Sequence, residues 1–214
     1  MRATSRNAAW AKKLKVVDFT GLELIGYSLF HTQTYLSAAT LSLNFFNVAA
    51  TTINNGNMKS NTLPAGHHFL IQAIRFAPLL DTRETAVAAP AAGEIDGAIA
   101  DMKELVYDGV AELFINEKPY GSWPLYQLPA GGGVTGLYQV PGTFITSDKT
   151  AQHSYAINGT ASPRDVYTLA VPIPIPPLTL LRFTSTWNAA KTLSVGDSPI
   201  QVILDGQLLR PRTS

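Results

Sequence analysis

The chain has 214 residues, 46% of them hydrophobic and 14% charged, enough for one large domain or two small ones around an ordinary core. Charged residues usually make up roughly 25% of a soluble domain, so the solvated surface is small or largely neutral. Sixteen basic against fifteen acidic residues are too balanced for a chain whose main partner is a nucleic-acid backbone or an anionic membrane. The absence of cysteine removes disulfide frameworks, thiolate zinc sites, iron–sulfur clusters and cysteine nucleophiles.

Residues 1–18 are expected to form an N-terminal arm ahead of a single domain over residues 19–214. In the arm Ala8, Trp10, Ala11 and Leu14 fall at near-helical spacing behind Ser5 as a cap, with Lys12, Lys13 and Lys15 on the remaining face. Such an amphipathic helix either lies on its own domain or reaches a neighbouring subunit or an acidic surface. The lysines directly after Trp10 replace the apolar stretch that a secretory signal needs.

Past the arm the apolar period changes to two. Leu41, Leu43 and Phe45 alternate with Ser42 and Asn44, and residues 69–76, 110–115, 166–171, 178–187 and 200–209 are apolar or β-branched runs, each expected to be a strand. Asn55-Gly56, Asp96-Gly97, Asp108-Gly109, Asn158-Gly159 and Asp205-Gly206 separate them as turn dipeptides, since Asn or Asp before Gly tolerates positive φ. Asp205-Gly206, between Val202-Ile203-Leu204 and Gln207-Leu208-Leu209, predicts a two-residue hairpin. Residues 94–105 predict one short helix through Ile95, Ile99, Met102 and Leu105, weakened by Gly97, and residues 86–93 a loop tip.

About eight strands with long Pro- and Gly-rich connections predict an all-β fold, a jelly-roll-like β-sandwich with long ordered loops and at most one or two short helices. Two connections, residues 47–64 and 117–141, exceed the length that a compact domain keeps without a role for it. The second carries Tyr120, Trp123, Leu125, Tyr126 and Leu128 among Pro119, Pro124 and Pro129. Proline lowers the entropy lost on ordering, and Trp and Tyr dominate interface energies, so the segment is either a rigid docking surface or a cap on the domain's own core. Gly131-Gly132-Gly133 lacks the Lys-Ser/Thr or the strand–turn–helix context of a phosphate cradle. Residues 172–177, Pro-Ile-Pro-Ile-Pro-Pro, cannot form a central strand and are expected as an unpaired extended edge or a stiff crossover between sheets.

No catalytic, cofactor or metal site is expected. His67 and His68 are adjacent, which on a strand points them to opposite faces and gives poor geometry for a shared metal. His153, Ser154 and Asp165 lack a nucleophile elbow, and Asp96, Asp101 and Glu104 sit on the expected surface helix, where solvated charge is the default. The longest apolar run, residues 169–181, is broken by four prolines and too short for a spanning helix.

A neutral, Cys-free sandwich with a basic arm and a terminal segment ending Asp205-Gly206-Gln207-Leu208-Leu209-Arg210-Pro211 resembles the single jelly-roll structural proteins of icosahedral bacteriophages and related viruses. The resemblance implies a non-enzymatic capsid shell or capsid cement (decoration) protein that assembles in the host cytoplasm into a virion. Its partners would be copies of itself and other virion proteins. Trp10, Lys12, Lys13 and Lys15 would then meet an acidic interior or a neighbour, although the arm's modest charge does not suit genome packaging, and Tyr120, Trp123, Leu125 and Tyr126 would serve assembly. Assembly also accounts physically for the low charge, because an unpaired charge buried in a contact costs several kcal/mol. The alternative is a glycan- or receptor-binding β-sandwich whose stacking platform is Tyr120, Trp123 and Tyr126.

Overall fold

The computed structural model describes residues 21–47, 55–58, 60–82, 97–130, 135–139, 153–157, 166–193 and 196–212. The arm residues Trp10, Lys12, Lys13 and Lys15 lie outside them, as do the loop tip at 86–93, the three glycines at 131–133 and Asn158-Gly159. The elements in chain order are β1 (Leu22–Tyr35), β2 (Ser42–Phe45), β3 (His68–Thr82), α1 (Gly97–Tyr107), β4 (Gly109–Ile115), β5 (Lys118–Pro124), a 3-10 turn (Leu125–Gln127), β6 (Thr135–Gln139), β7 (His153–Ile157), β8 (Tyr167–Ile175), β9 (Leu181–Trp187) and β10 (Ser198–Pro211).

The strands form an all-β sandwich. One sheet runs β1-β10-β3-β8, and the far end of β3 also carries the β7-β6 pair. The other runs β2-β9-β4-β5, and every pairing is antiparallel. With the β6-β7 insertion set aside, the chain enters the large sheet at β1, the small at β2, the large at β3 and the small at β4 and β5. It then alternates again through β8, β9 and β10. Each sheet therefore interleaves strands from the two ends of the chain, which is the double Greek-key order of a jelly roll.

Alternation sets which side chains fill the space between the sheets. In β4, Ala111, Leu113 and Ile115 point inward, and in β9 Leu181, Phe183 and Trp187 do, while Val110, Glu112, Arg182, Thr184 and Thr186 point away. Across from them Leu29, Phe69, Ile71, Ile200, Val202 and Leu204 complete the core from the large sheet. Fully burying a side chain of this size stabilises by roughly 1.5–3 kcal/mol. His31 is buried among them, its ring centroid 6.3 Å from Phe45 and 5.7 Å from Phe46, so it joins β1 to β2. Burial pushes its pKa below the ordinary value of 6.5. Helix α1 closes one end of the sandwich with Met102, Leu105 and Val106, and Leu105 O accepts the Trp187 indole N–H at 2.8 Å. Gly97 opens this helix rather than interrupting it, and its described residues begin after Asp96.

Three sequence expectations change. Asp205-Gly206 makes no hairpin, because β10 runs straight through it for 14 residues. Gly206 is needed for close approach instead: a Cβ there would fall 1.9 Å from Leu70 O, beside a bulge that leaves Gln72 of β3 unopposed. Asp205 is held across the strands by Arg75, at 2.6 and 2.8 Å, and by the Ser28 hydroxyl at 2.5 Å. The hairpin turn lies at Asn116-Glu117 between β4 and β5, where both residues take positive φ (48° and 61°) without a glycine. There Asn116 exchanges hydrogen bonds with the Leu180 backbone at 3.0 Å, and Glu117 meets Arg182 at 3.0 Å. The described part of the segment 117–141 is consequently not a loop, since it supplies β5, the 3-10 turn and β6. Residues 172–175 are not unpaired either: they form the end of β8, with Ile173, Pro174 and Ile175 opposite Ile71, Leu70 and Phe69.

Candidate interaction surface

The residues expected to serve assembly separate in the structure. Leu125 is fully buried in the core, so it caps the domain's own interior rather than offering a contact. It presses on Gly109, where a Cβ would sit 2.3 Å from Leu125 Cδ1 and 2.7 Å from Trp187 Nε1. Trp123 is half-buried and folds back over its own strand, its ring where a Gly121 Cβ would lie (2.4 Å). Its indole N–H donates to Tyr167 Oη at 3.1 Å, which ties the small sheet's edge strand to β8 of the large one.

Tyr120 and Tyr126 remain at the surface, with 45% and 48% of their area exposed. The Lys118 ammonium lies 5.9 Å from the Tyr120 ring centroid, within reach of a weak cation–π attraction. Tyr126 stacks on Tyr107 at 5.8 Å and 14°. Tyr107, from the last turn of α1, is itself 60% exposed, so the pair presents one broad aromatic plate. Nothing in the period of α1 singles out Tyr107, and only the return of the chain after Pro124 brings it to Tyr126.

Strand register extends this plate into a face. Ser42, Thr186, Val110 and Pro124 lie in one row across the small sheet, and Asn44, Thr184, Glu112 and Ser122 in the next. Val110 is exposed, and the Thr184 hydroxyl donates to Asn44 Oδ1 at 2.8 Å. Arg182 packs over Phe114, 4.4 Å from its ring centroid, and its charge is met by Glu117. Beside the plate Lys191 bonds Asp108 at 2.5 Å, which raises the lysine pKa. The face is thus built largely of hydroxyls, amides and rings, with Arg182 and Lys191 paired and Glu112 left as a single carboxylate among the described residues. Period-two reading of β9 would have found Thr184 and Thr186, since both fall on the side opposite Phe183 and Trp187.

The edges of the sheets have a different character. Residues 55–57 cover β1: Thr32 N–H donates to Asn55 O at 2.7 Å and Asn57 N–H to Phe30 O at 3.2 Å. The Asn57 side chain continues the ladder, accepting from Phe30 N–H at 3.0 Å and donating to Ser28 O at 2.7 Å. Edge strand β5 carries Lys118, Pro119, Pro124 and a bulge against β4, and edge strand β8 carries Pro172 and Pro174. These are devices that discourage strand addition.

Among the described residues no three His, Asp or Glu side chains gather within ligating reach of one another, and no helix is long and apolar enough to cross a membrane. The sequence matches no protein-family model and no curated protein.

Proposed function

We propose that this chain is a structural component of a virus particle, a phage-type capsid shell or capsid cement protein. It associates with copies of itself and with other virion proteins and performs no catalysis. The fold alone does not assign this role, because jelly rolls also serve lectin domains and cupins. The observation that carries the reading is the outer face of β2-β9-β4-β5. Its Ser42, Asn44, Thr184, Thr186 and Val110 carry no charge to desolvate in a repeated contact, next to the Tyr107–Tyr126 plate, and Glu112 is the carboxylate in these two rows that a partner surface must meet. Repetition under closed symmetry multiplies a contact that is modest by itself. Light scattering and electron micrographs of the full chain should show discrete oligomers or shells. A strictly monomeric protein at high concentration, with no co-assembling partner, would overturn the proposal.

A second reading rests on the same plate: Tyr107 and Tyr126 offer stacked, exposed rings to a sugar, making the chain a glycan-binding module. A silent glycan array removes that reading and leaves the first intact.

A further inference from the structure

Where residues 57–58 and 60–67 pass over β1 and β10 of the large sheet, they leave a cavity of about 210 Å³. Its floor is apolar: Leu29, Met58, Leu63 and Leu208 are each at least 94% buried and all face it. Its rim carries Tyr27, His67 and Arg210, and among the described residues lining it there is no carboxylate.

The hydrogen bonds already made show what the rim has left to offer. Asn57 is committed, since it donates to Tyr27 Oη at 3.3 Å and to Ser28 O and accepts from Phe30 N–H. Because Tyr27 Oη accepts from Asn57, its own proton remains to be donated. His67 Nδ1 donates to Ala65 O at 3.2 Å, so Nε2 of that tautomer is an acceptor and adds no donor to the rim. Arg210 uses Nε for Glu23 Oε1 at 2.6 Å, so the terminal nitrogens of its fork remain, the geometry that meets a carboxylate. The Glu23 partner holds the guanidinium in place and does not itself line the cavity. Donors at the mouth over an apolar floor select a compact amphipathic anion. A cavity of about 150 Å³ is enough to hold benzene, so the space here admits a single ring bearing a small head group.

We propose that this cavity is a binding site for a compact monocarboxylate, its ring or short alkyl body on Leu29, Met58, Leu63 and Leu208 and its carboxylate toward Arg210 and Tyr27. The site is independent of the assembly face on the small sheet, and either assignment stands if the other fails.

Ligand-observed NMR titration of the full chain tests this with three probes of one shape: benzoate, benzyl alcohol and benzylamine. Benzoate should bind about tenfold or more tighter than benzyl alcohol, with benzylamine weakest. In the E23Q/R210Q double variant, which removes the ion pair without leaving a lone charge, that preference should fall to about threefold or less while benzyl alcohol is retained. Met58→Trp, which fills the floor, should abolish binding of all three. The proposal is overturned if wild-type protein does not bind benzoate at about 10 mM, well above the range of a specific site. Equal affinity for the three probes, or a benzoate preference that survives E23Q/R210Q, would overturn it as well.

Discussion

The edges of the two sheets and the outer face of the small sheet handle exposed polar groups in opposite ways. At three edge strands the polar groups belong to the backbone, and they are closed off: β1 by Asn55 and Asn57, β5 by prolines, a lysine and a bulge, β8 by prolines. On the face they belong to short side chains, Ser42 and Thr186 in one row and the bonded pair Asn44 and Thr184 in the next, and no strand or loop covers them among the described residues. An unpaired edge accepts any extended chain and leads to indiscriminate association, whereas a face of side chains in fixed register accepts only a complementary surface. A protein built to associate specifically gains from this division.

The comparison breaks most readily at Asn57. Asn57→Ala removes the side-chain ladder from Phe30 and Ser28 and should cost about 2–4 kcal/mol in urea unfolding. The same variant should aggregate through the freed β1 edge, seen as thioflavin-positive material. A clean, soluble variant with unchanged midpoint would show that the cap is dispensable.

Acid should loosen the same region. His31 pairs through its backbone with Gly56 of the cap, and burial lowers its pKa; His68 is lowered by burial and then by the charge of His67. A folded-state pKa below the unfolded value of about 6.5 means that the unfolded chain takes up protons first. Stability is therefore flat above pH 6.5 and falls as the pH drops below it. His31→Phe should flatten part of this slope and leave the portion due to His68, as read from unfolding midpoints between pH 7.5 and 5.

The face responds differently. Thr184→Lys with Thr186→Lys should change monomer stability by less than about 0.5 kcal/mol, because both residues point to solvent. It should nevertheless eliminate the larger species in light scattering. Loss of stability without loss of assembly would reverse the roles assigned to edge and face. The smallest expected effect is at the β4-β5 turn, where Glu117→Gly relieves a positive φ of 61° and should stabilise by about 0.5 kcal/mol, net of an exposed ion pair.

Much of the sandwich is legible in residue order, for a local reason. β4 and β9 alternate strictly because each has one buried face, and the spacing of Met102 and Leu105 reports the side of α1 that closes the core. β1 escapes the same reading, since neither of its two sides is uniformly buried and Gly26 and Glu23 interrupt its apolar run. β5 is hidden by its prolines, which mark an edge as readily as a loop. Leu125 and Tyr126 are neighbours of similar bulk, yet one is core and the other surface, and that outcome depends on where a 3-10 turn places them against Gly109 and Tyr107.

By itself the amino-acid order determined an all-β chain with alternating strands, one short helix and an unusually neutral exterior, since burial period, turn propensity and charge are properties of neighbouring residues. Tertiary structure alone decided that Asp205-Gly206 runs straight while Asn116-Glu117 turns, that Tyr107 meets Tyr126, and that Tyr27, His67 and Arg210 ring one cavity. Each of these depends on a backbone or ring brought close from far along the chain. Gly206 shows the reason most plainly: its value lies in the Leu70 carbonyl it allows to approach, and no neighbouring residue records that contact.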